Sequence, residues 1–233
     1  TTITGGTVDI AGTLGHVSAG DDTTDPVVPP SGTFAGNITT SGTLKFSSTA
    51  TQTLSGNITG TGSLVQAGTG KTVLIGSGNT YSGSTTIAAG TLQVGDGNVK
   101  GSFGGGGALT NNGTLIFNTP DTGSSPVVID VSIQGSGNLQ KAGDGMVQLT
   151  GNNSYTGTTT ISGGKLEIGA GGTTGTIGRG NISIAGGATL STNRTTGFSI
   201  TADISGQGKL VKKGTELLNL AGSNTFSGGL EVE

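Results

Sequence analysis

The chain has no cysteine and no tryptophan, one histidine and one methionine, and aromatic residues fill only 3% of its 233 positions. Without cysteine there are no disulfides and no thiolate metal sites, and a single histidine excludes a three-histidine or His-Cys zinc centre. Charged residues make up 10% of the chain, against about a quarter in an average globular protein. The formal net charge is -3, and the few Lys and Arg are scattered. No basic stripe offers itself to nucleic acid or an anionic membrane, so neither is expected as a partner. No run of about 18 apolar residues suggests a membrane-inserted segment, and no signal peptide opens the chain.

Glycine is in excess, at 49 residues. A chain so poor in large side chains cannot fill a wide core. It can fill a narrow one, where each turn supplies a few Val, Ile and Leu while Gly and Asn serve the bends. Disorder would couple low hydrophobicity to high net charge, and that coupling is absent here.

The organising feature is repetition. The stretch Gly78 to Gly95, GNTYSGSTTIAAGTLQVG, returns as Asn152 to Gly169 and, cut short, as Ser223 to Glu233. Upstream of it an Ile-x-Gly-x-Gly-x-Leu phrase occupies Ile58 to Leu64, Ile133 to Leu139 and Ile204 to Leu210, at offsets of 75 and 71 residues. Between the two lie glycine pairs eight residues apart, Gly68/Gly76, Gly143/Gly151 and Gly214/Gly222. Short alternations such as Leu92-Gln93-Val94 and Leu166-Glu167-Ile168 have the period of two that marks strands, and helical spacing is lacking. Leu44 to Leu64 and Leu190 to Leu210 are each 20 residues apart and Leu115 to Leu139 is 24, a length that suits a coil of three short strands and three bends.

These spacings predict an all-β solenoid, a parallel β-helix of about ten turns running through residues 1–233 as one segment of something longer, with each long unit about three turns. Crossovers between parallel strands favour the right-handed form. A β-sandwich is the alternative, weakened by glycine at nearly every bend. Four irregular loops interrupt the pattern: 11–31, 95–107, 118–126 and 169–180. The first, second and fourth hold the same place in the unit, so whole-turn units would project them from one corner. Binding concentrates on loops of rigid scaffolds, which makes Asp21, Asp22, Asp25, Asp96, Lys100, Phe103 and Arg179 the candidate binding residues.

Catalytic chemistry finds little support. Gly70-Lys71-Thr72 looks like the end of a phosphate loop, but position 65 is Val65 where that motif needs glycine. His16 lies near Asp21 and Asp22 without a nucleophile-elbow phrase. The thirteen carboxylates are dispersed apart from Asp21, Asp22 and Asp25, where weak Ca²⁺ binding is the alternative to a solvated loop. No cofactor is expected. Tyr81, Tyr155 and Phe226, each two residues after an Asn, read as bends in which Asn takes an unusual backbone and the ring covers the core end; a sugar-stacking row is the alternative. Thr85-Thr86 and Thr158-Thr159-Thr160 suggest a flat polar face suited to ice or glycan.

The phrases Gly62 to Gly68, Asn79 to Ile87 and Gly90 to Gly95, with second copies at Gly137 to Gly143, Asn153 to Ile161 and Gly164 to Gly169 and a third from Gly208 onward, resemble the passenger-associated transport repeat. It is also called the autotransporter-associated β-strand repeat, and belongs to type V secretion passengers of Gram-negative bacteria. The resemblance covers nearly all of the chain from about residue 32. It implies a right-handed β-helix that is exported through the outer membrane by a C-terminal β-barrel translocator in the parent protein and is displayed on the cell surface or secreted. The expected role is non-enzymatic: adhesion, or a stalk presenting an adhesive region, with a host surface protein or glycan, or a second copy, as partner. Alternatives are a secreted effector that binds a host receptor through its loops, and a polysaccharide-active enzyme.

Overall fold

The computed structural model describes residues 1–12, 31–104, 106–123 and 125–233. Among them every paired strand runs parallel to its neighbours. Parallel strands need crossovers, and a coil supplies one at every strand. The pairs singled out by spacing are ladder partners: Leu44 lies beside Leu64, Leu115 beside Leu139, and Leu190 beside Leu210. The chain is therefore a three-faced parallel β-solenoid of about ten turns, roughly 50 Å long at about 4.8 Å per coil.

The third face is continuous, nine strands from Ser31–Phe34 to Ile204–Gly206. The second holds six strands from Thr7–Ile10 to Ile133–Gln134, and resumes with Phe198–Ile200 and Leu218–Leu220. The first holds Thr2–Ile3, Ile38–Thr40 and Ile58–Thr59, and resumes with six strands from Val127–Ile129 to Leu230–Val232. Inward residues stack in rows. One passes through Leu54, Leu74, Val94, Phe117, Lys141 and Ile161 on successive coils. A fully buried Leu or Ile is worth about 1.5–3 kcal/mol, which each coil gains only with a neighbour on either side.

The long unit is not a whole number of turns, which corrects the expectation of three. Counting the strandless bridges near 79–82 and 101–104, the chain passes ten strand positions between Ile58 and Ile133, and another ten before Ile204. Ten is one more than three full coils. Each unit accordingly begins one face further round: Ile58 on the first face, Ile133 on the second, Ile204 on the third.

The Asn-x-aromatic phrase marks the positions where a ladder strand is missing. Asn79 Oδ1 accepts the Ile58 N–H at 2.7 Å from the coil before, and its Nδ2 donates to Ser102 O at 2.9 Å in the coil after. Asn153 repeats this with Ile133 N at 2.8 Å and Thr176 O at 2.6 Å, and Asn224 accepts from Ile204 N at 3.1 Å. The unusual backbone expected of these asparagines is not found, since among the described residues left-handed φ occurs at glycine alone. The side-chain amide instead supplies one rung of the ladder, beside backbone bonds such as Thr80 N to Ile58 O at 2.9 Å and Ser154 N to Ile133 O at 2.8 Å. Tyr81 and Tyr155 are 0% exposed and pair their hydroxyls with Thr85 and Thr159 at 2.8 Å, so neither ring faces a sugar. Glycine is required above each ring: a Cβ on Gly104 or Gly178 would lie 2.4 Å from a ring carbon of Tyr81 or Tyr155. The burial of Thr85 and Thr159 likewise removes two of the five threonines of the flat face read from the sequence.

Interior polar groups follow the same unit. Lys141 is 0% exposed and donates to Ala142 O, Gly143 O and Gly163 O at 2.7, 2.8 and 3.3 Å, capping carbonyls of the glycine bend. Gln66 in the first unit and Lys212 in the third cap the corresponding bends. Burial pushes the Lys141 ammonium down to about 8, against a smaller upward pull from Asp144.

Candidate functional site

The rotation of the units decides where the loops emerge. Loop 11–31 joins Thr7–Ile10 on the second face to Ser31–Phe34 on the third. Loop 95–107 follows Thr91–Val94 on the third face and turns onto the first. Loop 169–180 leaves the long Lys165–Gly172 strand on the first face and crosses the second. Loops 95–107 and 169–180, at one sequence place in successive units, thus lie at different corners, rather than the single corner that whole-turn units would impose.

Loops 95–107 and 118–126 share the corner between the third and first faces and stack there. Gly97 N donates to Asn118 O at 3.0 Å, and Lys100 Nζ donates to Ser125 O. Asp96 is exposed but committed to its own turn, accepting from Asn98 N at 2.9 Å and Val99 N at 2.7 Å. Phe103 is half-buried and meets Tyr81 edge-on, centroids 6.3 Å apart. Below them a cleft of about 180 Å³ is lined by Lys100, Asp121, Asp144 and Lys165. Its charges are largely spoken for: Asp121 accepts from Gly123 N at 3.0 Å, and Lys165 pairs with Glu167 at 3.4 Å. Thr119 Oγ1 beside it is buried without a hydrogen-bond partner. Lys100 and Asp121 are thus bonded to backbone groups and Lys165 to a carboxylate, which holds the corner together.

Arg179 stands apart, exposed on the second face in the following unit, its backbone N bonded to Tyr155 O at 2.9 Å. The structure therefore groups Asp96, Lys100 and Phe103 in one loop and leaves Arg179 to a different corner. Asp21, Asp22, Asp25 and His16 lie outside the described residues. Among the described residues no three His, Asp or Glu side chains come together as a metal site, and no helix is long and apolar enough to cross a membrane.

Sequence reading missed Glu167, which is 3% exposed although it points away from the core. Burial alone would raise its carboxyl, but Gln148 at 2.8 Å, Lys165 and Ser191 at 3.0 Å outweigh that and hold it below its ordinary value. It also missed Arg194 and Phe198, whose guanidinium and ring lie 4.6 Å apart. Both depart from the residues at the corresponding places of the preceding unit, Thr119 and Val127, and that departure was the available signal.

Three segments of the chain, residues 64–94, 139–168 and 210–233, match the family described as passenger-associated-transport-repeat. They fall on the three copies of the unit laid out by the pairing. The chain carries three passenger-associated transport repeats. It is also 35% identical over 108 residues to the Adhesin BmaC autotransporter of Brucella suis biovar 1 (strain 1330), a stretch covering 46% of this chain and 3% of that protein. The chain thus spans only a small fraction of that relative's length. No solved structure matches. The repeats and this similarity make the segment an autotransporter passenger region, the part of such a protein exported through the outer membrane to the cell surface or beyond.

Proposed function

We propose that this segment acts without catalysis, as the adhesive or adhesin-presenting body of a longer passenger whose parent carries a C-terminal β-barrel translocator. The observation that carries the reading is the distribution of the irregular loops. A rod that advances each unit by one face turns successive loops to different sides, so contacts with a host surface or another cell are available around the rod. The similarity to a protein named an adhesin points the same way. The buried carboxylates Glu167 and Glu216 serve the framework through bonds to Ser191 and Thr192, which supports a structural over a catalytic use of the acids.

The test is display of the segment on a bacterial surface, with and without residues 1–233, scored by attachment to epithelial cells and by self-aggregation. Loss of attachment or aggregation on deletion is the expected result; unchanged values for both would overturn the proposal. Replacing 95–107 by a short glycine-serine bend separates a loop-borne receptor contact, abolished by the swap, from a stalk, which the swap leaves intact.

A further inference from the structure

On the second face, the strandless bridge 176–179 lies between Asn153 and the Phe198–Ile200 strand, and the groove between them has a volume of about 220 Å³. Arg179 and Phe198 line it with the polar side chains of Ser199 and Thr201. A second groove follows at Leu217 to Asn219, and Phe198 borders both. Phe198 is half-buried, and its ring is held by the Arg194 guanidinium 4.6 Å from the centroid. Arg194 is itself anchored to Thr173 O at 2.8 Å and to Gly175 O. The ring is thus fixed before any ligand arrives.

The electrostatics are one-sided. The exposed Arg179 guanidinium makes no hydrogen bond or ion pair among the described residues, and no Asp or Glu lines either groove. Comparison with the preceding unit shows which of these residues the coil needs. Asn153, Thr176 and Gly178 have counterparts in Asn79, Ser102 and Gly104 with the same bonds and the same close approach to a tyrosine ring. Arg179 stands where that unit has Gly105-Gly106, Phe198 where it has Val127, and Thr201 where it has Asp130. The framework residues are repeated; the cation, the ring and the loss of a carboxylate are peculiar to this place.

We propose that this groove binds an acidic saccharide, its carboxylate paired with Arg179 and one pyranose ring against Phe198, with the hydroxyls of Ser199 and Thr201 beside it. Arg matches a carboxylate in two-pronged fashion, and an aromatic ring offers a flat apolar surface to the C–H face of a sugar. The groove is smaller than the roughly 300–1,000 Å³ of a drug-sized pocket, so it takes one sugar unit, with a dissociation constant of about 1 mM. Useful attachment then comes from many displayed copies acting together. This naming of a ligand class rests on the adhesive reading for its biological use alone; binding itself is measured on the purified chain.

The experiment is saturation-transfer NMR and titration of the 233-residue chain with a sialylated lactose, with lactose, and with inorganic phosphate. Expected are saturation of the acidic sugar ring, no measurable binding of lactose, at least tenfold weaker binding in Arg179→Gln, and loss of ring saturation in Phe198→Val. Val127 in the equivalent place shows that the fold accepts the last change. Equal binding of lactose, unchanged affinity in Arg179→Gln, or phosphate competition with ring saturation unaffected by Phe198→Val would each overturn the proposal. Sugar binding with no effect of deletion on cell attachment would sink the adhesive function instead and leave the groove standing.

Discussion

Replacing Asn153 with Ala tests why the repeat carries an asparagine two residues before its aromatic ring. The side chain is 7% exposed and spans three coils, accepting from Ile133 N at 2.8 Å and donating to Thr176 O at 2.6 Å. Alanine leaves one donor and one acceptor unpaired where no ladder strand stands in for them. An unsatisfied buried group costs about 1–3 kcal/mol, so the pair should cost about 2–6 kcal/mol. At about 1.4 kcal/mol per factor of ten, local opening should rise between about 30- and 20,000-fold. In a solenoid stability is a sum of local and neighbour terms, which makes amide hydrogen exchange the right assay: the Ile133 amide and those of 176–179 should lose protection while Leu44 and Leu64, several coils away, keep theirs. Asn152→Ala, one residue earlier and exposed, is the control and should change exchange by less than about 0.5 kcal/mol. Equal effects of the two substitutions, or an Ile133 amide as protected as before, would refute the idea that the amide side chain supplies the rung at Ile133.

Three further outcomes are expected. Tyr155→Phe strands the buried Thr159 hydroxyl, now 2.8 Å from its partner, and should cost about 1–2 kcal/mol in denaturant unfolding, whereas adding Thr159→Val should restore most of it. Lys141→Gln should lie within about 1 kcal/mol of the parent, because Gln66 caps the equivalent bend, while Lys141→Ala should cost about 2–4 kcal/mol. With Lys141 depressed to about 8 from 10.5, the unfolded chain binds the extra proton between those values. Stability should therefore rise from pH 8 to 10.5 relative to Lys141→Gln in paired thermal melts. Glu167, held below its ordinary 4.5, contributes stability above that pH and loses it as the pH falls through its folded value, so Glu167→Gln should flatten the acid side of the stability profile.

The leucine spacings gave the coil away because a parallel ladder forces partners to recur at one coil's length, and the leucine pairs of the sequence are the partners of the structure. The phase of the unit was hidden, since the bridges near 79–82 and 101–104 carry no alternating pattern and drop out of a count of strands. Side-chain roles were hidden for a related reason. Asn79 and Asn153 look like turn residues by type, and only the neighbouring coils show that their amides bond to Ile58 and Ile133. Of the candidate binding residues, Asp96 is absorbed by an Asx turn, accepting from Asn98 N and Val99 N. Arg179 keeps its charge free because the chain replaces two glycines with it at a bridge that the tyrosine below has already fixed.

The third-of-a-turn phase also bears on how a repeat array diversifies. Had the unit been three whole coils, every loop at one sequence place would stack on the same corner, and an enlarged loop would press on its counterparts above and below. Stepping one face per unit separates equivalent loops by three and a third coils, about 16 Å along the rod, and so by one corner around it. The loops that do stack, 95–107 and 118–126, come from different places in the unit and are joined by specific bonds from Gly97 and Lys100. Length changes in a loop are thereby insulated from the loop at the same place in the next unit, while the nine-stranded third face keeps the rod continuous. That insulation accounts for how a loop ending in Gly104 to Gly107 and one carrying Arg179 occupy the same place in successive units over an unchanged Asn-x-Tyr framework.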